Sequence, residues 1–187
     1  MTASDTLILL GPGPSASREL YDKVSQFRCG AVGNAFQLID NAEFLAASDA
    51  KWWKNHPDAQ AYPADKYMAD RIHKIGGIEL VEGGLIITHI NSGVLGLEIA
   101  KRRGATKIIM LGFDMHGTHF FGPYKNGCSN TQAHQREIHQ RQYESWSRAH
   151  KSISVLNCTE GSKLRAFPLA SLEAELDRLA SSQTRAE

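Results

Sequence analysis

Three short segments of the sequence carry the residue types that bind phosphate and move protons. The first is LILLGPGPS, residues 7–15, in which an apolar run ends in Gly11, Gly13 and Ser15. Glycines let backbone N–H groups approach an anion, and Ser15 can cap a following helix, whose N-terminus favours negative charge. The spacing matches neither a GxGxxG loop nor a Walker A loop. A plain strand-to-helix turn and a phosphate loop therefore remain equal alternatives.

The second segment is Asn91, Ser92 and Gly93, which follows an apolar run and precedes a helical pattern. Either Asn91 or Ser92 is expected to cap that helix, and the same groups can hold part of a nucleotide. The two roles are compatible with each other.

The third segment is GFDMH, in which Asp114 and His116 follow an apolar run. A carboxylate and an imidazole at the end of a strand lie where a substrate hydroxyl or a metal can reach them. Asp114 can also simply cap local backbone. We favour the functional interpretation, because loops on a rigid scaffold carry a large share of function.

Histidines are concentrated in the C-terminal half, at positions 116, 119, 134, 139 and 150. Metal binding is not indicated, because His134 and His139 are five residues apart on a predicted helix and do not share a face. One histidine acting as a general base is the better interpretation, since its ordinary pKa lies near neutrality. His150 is expected to be solvated at a helix end.

Two adjacent tryptophans, Trp52 and Trp53, begin another predicted helix, with Asp49 as its N-cap. One interpretation leaves one of them partly exposed as a stacking surface for a ring. We prefer a packed helix that buries both, because large aromatic side chains are mostly buried.

The elements that must position these segments alternate along the chain. Predicted strands are Thr6 to Leu10, Phe27 to Ala31, Phe44 to Ala47, Ile78 to Val81, Leu85 to Ile90, Lys107 to Leu111 and Ser152 to Asn157. Predicted helices are Arg18 to Ser25, Gly93 to Arg103, Thr131 to His150 and Leu169 to Leu179. The pattern predicts an α/β fold, a Rossmann-like doubly wound, mainly parallel sheet with helices on both faces.

Length and composition predict one domain. The 187 residues are 42% hydrophobic, so residues 1–180 are expected to form a single nucleotide-binding domain and 181–187 a polar tail. With 21 Lys and Arg against 20 Asp and Glu, no unaided nucleic-acid binding is expected. The sequence has no run long enough to span a membrane and its three cysteines form no CxxC pair, so we expect a cytoplasmic protein.

Four segments in order resemble one superfamily: LILLGPGPS, FRCGAVGN, FLAASDAKWW and NSGVLGLEIAKRRGATKIIMLGFDMHG. It holds the single-domain Rossmann-type bacterial CMP-sialic-acid sialyltransferases, the archaeal 6-hydroxymethylpterin diphosphokinase (MptE-like) proteins and small bacteriophage relatives. The similarity runs from about Leu7 to Asn157, and Ser92 to Asp114 is its most specific part. The resemblance implies a small bacteriophage-type member, which would act in the cytoplasm of a bacterial host.

The resemblance implies a site for a nucleotide-sugar donor of the CMP type. Pro12 and Gly30 stand where the family has asparagines, and Asn34 lies close to the second of these positions. The donor-binding residues that it implies are Gly11, Gly13, Ser15, Gly30, Asn34, Ser92 and Gly93.

The same resemblance implies catalytic residues, among them Asp114 in the GFD motif. His116 and Tyr124 stand at positions that stabilise the departing phosphate, and His134 matches the histidine that takes the proton of the acceptor hydroxyl. This transfer to a glycan or small acceptor requires no metal or further cofactor. One alternative is a pterin-type pyrophosphokinase, with Mg²⁺ at Asp49 and Asp114. Another is a non-catalytic nucleotide-binding phage protein; a homo-oligomer is also compatible with the resemblance.

Overall fold

A computed structural model of the protein describes residues 5–86 and 89–184. Within this part, the strands are β1 Thr6–Leu10, β2 Cys29–Val32, β3 Phe44–Ala46, β4 Asp65–Met68, β5 Glu79–Leu80, β6 Lys107–Leu111 and β7 Ser154–Asn157. They form one sheet in the order β5-β4-β3-β2-β1-β6-β7, and every pairing is parallel. The predicted Rossmann-like α/β fold is confirmed.

Helices cover both faces of this sheet. They are α1 Arg18–Asp22, α2 Ala50–Lys54, α3 Pro57–Ala61, α4 Ser92–Arg102, α5 Ala133–Ala149 and α6 Leu172–Thr184, with a 3₁₀ segment at Gly33–Leu38. Successive residues of a strand point to opposite faces. Leu9 of β1 accordingly packs in the cluster that holds Leu95 of α4, and Ile8 packs in the cluster that holds Trp53 of α2. No helix in the described ranges is long and apolar enough to cross a membrane.

The predicted strand over residues 85–90 is wrong wherever the structure describes it. Gly83 and Ile86 form an isolated antiparallel bridge around a tight turn, and His89 has a left-handed φ of 69°. Residues 87 and 88 lie outside the described residues. Ile86 is nevertheless buried in the core. The described part of this apolar run therefore contributes Ile86 and Ile90 to the core and adds no strand to the sheet.

Other boundaries differ from the pattern. β4 was not predicted, because its residues Asp65 and Lys66 interrupt any apolar run at this outer part of the sheet. Helix α6 begins at Leu172 and continues to Thr184, into the predicted polar tail, and residues 185–187 lie outside the described part. The central strands were thus easier to predict than the outer strand β4 and the C-terminal helix α6.

The direction of the chain reverses beside β1. From β1 the strands progress outward to β5, and α4 then returns the chain to β6 on the other side of β1. In open parallel sheets, ligands bind at the carboxyl ends of the strands near such a reversal. The loops that follow β1 and β6 meet at this place.

Candidate functional site

A cavity of about 800 Å³ opens at the carboxyl edge of the sheet. Its wall combines the ends of β1, β2, β3 and β6 with α2, the N-terminus of α4, one side of α5 and the long loop 112–132. Small-molecule sites have volumes of roughly 300–1,000 Å³. The cavity therefore has room for a nucleotide sugar.

The loop after β1 is hydrogen-bonded to the loop after β6. The N–H of Gly11 donates to the carbonyl of Leu111 at 2.7 Å, and the N–H of Gly13 donates to that of Gly112 at 2.9 Å. A Cβ at Gly13 would collide with the Asp114 carboxylate. These glycines therefore let the two loops approach, and their N–H groups bond to the neighbouring loop.

Asp114 is held from both sides of the β6 loop. Its carboxylate accepts from the Ser15 hydroxyl at 2.9 Å and from the Ser15 N–H at 3.2 Å. On the β7 side, the Lys163 N–H donates to the Asp114 carbonyl at 2.7 Å, and the Phe113 N–H donates to Thr159 Oγ1 at 3.0 Å. Asp114 is buried in the cavity wall, whereas Ser15 is exposed outside the lining.

The N-terminus of α4 opens into the cavity. Asn91 is its N-cap, and the Asn91 side chain accepts from the N–H groups of Gly93 and Val94 at 2.8 and 3.3 Å. Ser92 Oγ accepts from the Ser48 N–H at 3.0 Å. The predicted cap is thus Asn91, while Ser92 joins α4 to the end of β3.

Asn34, Trp52 and Tyr124 form one hydrogen-bonded group under the long loop. The Tyr124 hydroxyl donates to Asn34 Oδ1 at 2.7 Å, and the Trp52 Nε1–H donates to the same oxygen at 3.0 Å. Burial raises the pKa of Tyr124, so its hydroxyl stays protonated at neutral pH. Trp52 and Trp53 are both buried, which confirms the preferred interpretation of this pair.

Only part of the predicted site reaches the cavity wall. The residues that line it are Gly13, Ser92, Gly93, Asp114, His116 and Tyr124. The predicted residues that do not line it are Gly11, Ser15, Gly30, Asn34 and His134. Gly30 lies inside β2, where a Cβ would collide with the ring of Phe44. His134 is exposed on α5, and His139, five residues later, faces the cavity in its place.

Five of the eight histidines line the cavity, at positions 73, 89, 116, 119 and 139. Burial lowers the pKa of His119 and of His139, so both rings stay neutral at neutral pH. His73 and His89 were not predicted as site residues. They lie in loops with no motif, and only the path of the chain brings them to the wall.

The cavity wall holds three permanent cations and three carboxylates, and the carboxylates are Asp49, Asp70 and Asp114. Lys51, Lys54 and Arg136 line it, and within the described residues none of the three is paired with a carboxylate. Arg136 instead donates to the carbonyl of Gly117 at 2.6 Å. Asp114 is bonded to Ser15 and Asp70 to His73, so the three cations are the charged groups of the wall that are available to an anion.

Backbone strain is concentrated at the same wall. His89 and Met115 are the non-glycine residues with positive φ in the described chain, at 69° and 58°, and both line the cavity. Such conformations cost about 1–3 kcal/mol each and cluster at functional sites. This backbone strain is a second feature, beside the cations of the wall, that favours the cavity as the candidate site.

No protein-family model, curated protein or solved structure matches the chain. Among residues 5–86 and 89–184, no group of three or more His, Cys, Asp or Glu is placed to hold a metal ion. What the site does must therefore be argued from its geometry and from its motifs.

Proposed function

We propose that the protein is a nucleotide-sugar-dependent glycosyltransferase. It binds a CMP-type donor in the cavity and transfers the sugar to a hydroxyl of a glycan or small acceptor. The observation that carries the proposal is a set of three cations, none of them ion-paired among the described residues, in the wall of a cavity that the α4 N-terminus also borders and that is large enough for a nucleotide sugar. The choice of CMP and of a sugar as the transferred group rests on the resemblance of the motifs.

The phosphate of the donor is assigned to the α4 N-terminus. Helix N-termini favour negative charge. The end of β3 is bonded to this N-terminus through Ser48 and Ser92, and Lys51, three residues after Ser48, lines the cavity. When the bond between sugar and phosphate breaks, negative charge grows on the phosphate. Donors already in position, Arg136 and His116 among them, stabilise that charge without rearranging.

The glycine-rich loop acquires a positioning role in this proposal. Gly11 and Gly13 bond to the β6 loop, and Ser15 bonds to Asp114. They hold the β6 loop, with Asp114 and His116, against the cavity. Asn34 likewise positions Tyr124, because its side-chain oxygen accepts a hydrogen bond from the Tyr124 hydroxyl.

Magnesium-dependent pyrophosphoryl transfer is the less favoured alternative. Asp49 follows β3 and Asp114 follows β6, and these strands are separated by β2 and β1. Three strand spacings separate the two strand ends by about 14 Å, which disfavours a single magnesium site that uses both carboxylates. Both oxygens of Asp114 also accept hydrogen bonds from Ser15.

A thermal-shift screen tests the proposal, with CMP, UDP, GDP, ATP and sugar conjugates of the first three, each with and without Mg²⁺. We expect a CMP sugar to raise the melting temperature without Mg²⁺, and the added acceptor to yield a glycosylated product. Failure of every nucleotide sugar to protect the protein would overturn the proposal.

The same screen separates the alternatives. Protection by ATP alone, and only with Mg²⁺, would indicate the pyrophosphokinase. Protection by a nucleotide with neither transfer nor release of its sugar would indicate a non-catalytic binding protein.

A further inference from the structure

A histidine–aspartate pair lies on the cavity wall just beyond β4. His73 Nδ1 is 3.1 Å from Asp70 Oδ2. Asp70 Oδ1 accepts from the N–H groups of Ile72 and His73 at 2.9 and 3.2 Å. The Asp70 side chain is 16% exposed and that of His73 is 52% exposed. The carboxylate is thus fixed, while the imidazole retains access to the cavity.

The pair determines which ring nitrogen can exchange a proton. Because Nδ1 faces a carboxylate, the neutral ring carries its proton on Nδ1, and Nε2 has the free lone pair. Once protonated, the ring forms an ion pair with Asp70. A base oriented by a carboxylate in this way is a recurrent arrangement for removing a proton from a hydroxyl.

The pair lies beside the proposed phosphate position. Asp49, which adjoins the β3 end, is electrostatically coupled to both Asp70 and His89. Partial burial raises the pKa of Asp49, with His89 opposing and Asp70 adding to the rise. His89, in turn, comes shortly before the Asn91 cap of α4. The cavity lining also includes the charged side chains of Lys51 and Lys54 from α2, next to Asp49, and Arg71 on the loop of His73 is paired with Glu82 at 3.3 Å.

We propose that His73 is the general base of the transfer and that Asp70 is its positioning residue. This inference rests on the proposed function, which requires a proton acceptor inside the cavity, where His134 does not lie. The acceptor hydroxyl gives its proton to His73 Nε2, and its oxygen forms the new bond to the sugar. The bond between sugar and phosphate breaks, and its electron pair leaves with the phosphate. His73 then releases the proton to solvent.

The test uses His73→Gln and Asp70→Asn in the full chain. Asparagine keeps an oxygen for the N–H groups of residues 72 and 73, so the turn is preserved while the charge is lost. We expect His73→Gln to lower kcat by about 100-fold, and Asp70→Asn to lower it in the same direction. Protection by the CMP sugar should stay unchanged in both variants. Lys74→Gln, an exposed neighbour outside the cavity lining, is the matched control with full activity.

The pH profile separates a base from a structural residue. A general base must be unprotonated to accept a proton, so kcat of the unmodified protein should fall at acidic pH, and His73→Gln should flatten that limb. Full turnover in His73→Gln, or loss of the acidic limb in His139→Gln alone, would overturn this inference and leave the proposed function standing. Loss of donor protection in His73→Gln would also overturn it. Absence of donor protection in the unmodified chain would overturn both.

Discussion

Ser15 donates to both oxygens of the Asp114 carboxylate, from its hydroxyl at 2.9 Å and from its N–H at 3.2 Å, across 99 residues of chain. Asp114 is only 3% exposed, so these bonds satisfy the hydrogen-bonding capacity of a buried polar side chain. Together with the bonds of Gly11 and Gly13 they make the β1 and β6 loops one unit. The glycines are needed because the loops approach so closely.

Gly13→Ala tests this unit. The new Cβ would collide with the Asp114 carboxylate and approach the Gly112 carbonyl, and we expect a loss of about 1–3 kcal/mol in the free energy of unfolding. Gly76→Ala is the control, because no atom lies within 4 Å of its Cβ position. Urea unfolding at pH 7 measures both. Equal stability of the two variants would contradict the close approach.

Arg136→Gln tests the unpaired charge of the cavity. In the proposed function Arg136 contacts the donor phosphate, so removing its charge should weaken binding of the CMP sugar by about tenfold or more, since hydrogen bonds to charged groups contribute about 1.5–3 kcal/mol. Arg141→Gln makes the same change on an exposed part of α5 outside the lining and should bind normally. Isothermal titration measures both. Equal weakening would attribute the effect to net charge and not to the site.

His139→Gln tests the pH dependence of stability. Burial lowers the pKa of His139 below that of an unfolded histidine, about 6.5. Between the two pKa values the unfolded chain binds more protons, so this residue makes stability fall as pH drops below about 6.5. The variant should therefore lose less stability than the unmodified protein between pH 7.5 and 5. His134→Gln, on the exposed face of the same helix, should leave the slope unchanged.

Glu98→Gln tests the junction between α4 and α5. Burial of Glu98 raises its pKa, but hydrogen bonds from Lys101, Arg102 and Trp146 outweigh this and leave the pKa lowered. Its stabilising effect is present above the unfolded value of about 4.3 and is lost as pH falls through the folded value. The variant should be about 1–2 kcal/mol less stable at pH 7, and urea unfolding at pH 3 should show a smaller difference. A difference that stays constant with pH would contradict the ionised carboxylate.

The central part of the fold follows from local pattern. Thr6–Leu10 and Lys107–Leu111 have the bounds that their apolar runs predicted, because strands buried on both faces must be apolar throughout. The N-cap of α4 was likewise limited to Asn91 or Ser92 by nearby residues, and the structure selects Asn91. The run 85–90 has the composition of a strand. Its described residues nevertheless form no strand of the sheet, because the chain turns between Gly83 and Ile86.

Side-chain direction was harder to predict. The sequence indicated that His134 and His139 lie on different faces of a helix, but which face meets the cavity depends on how α5 packs against the sheet. His73 and Asp70 are close in sequence, yet nothing local indicates that their loop borders the α4 N-terminus. A resemblance between motifs predicts which residue types stand at which positions, but it does not predict the direction in which their side chains point.

By itself, the sequence determined the α/β alternation and the central strands, because burial and capping act over a few residues, and it predicted the carboxyl edge as the place for a site. Two features were decided only by the tertiary structure. The N–H and hydroxyl groups of the GPGPS loop donate hydrogen bonds to the end of β6 and the loop after it, and particular histidines line the cavity. These outcomes depend on contacts between segments about a hundred residues apart, as for Ser15 and Asp114. Periodicity along the chain does not encode such contacts, because they arise only when the strands take their order in the sheet.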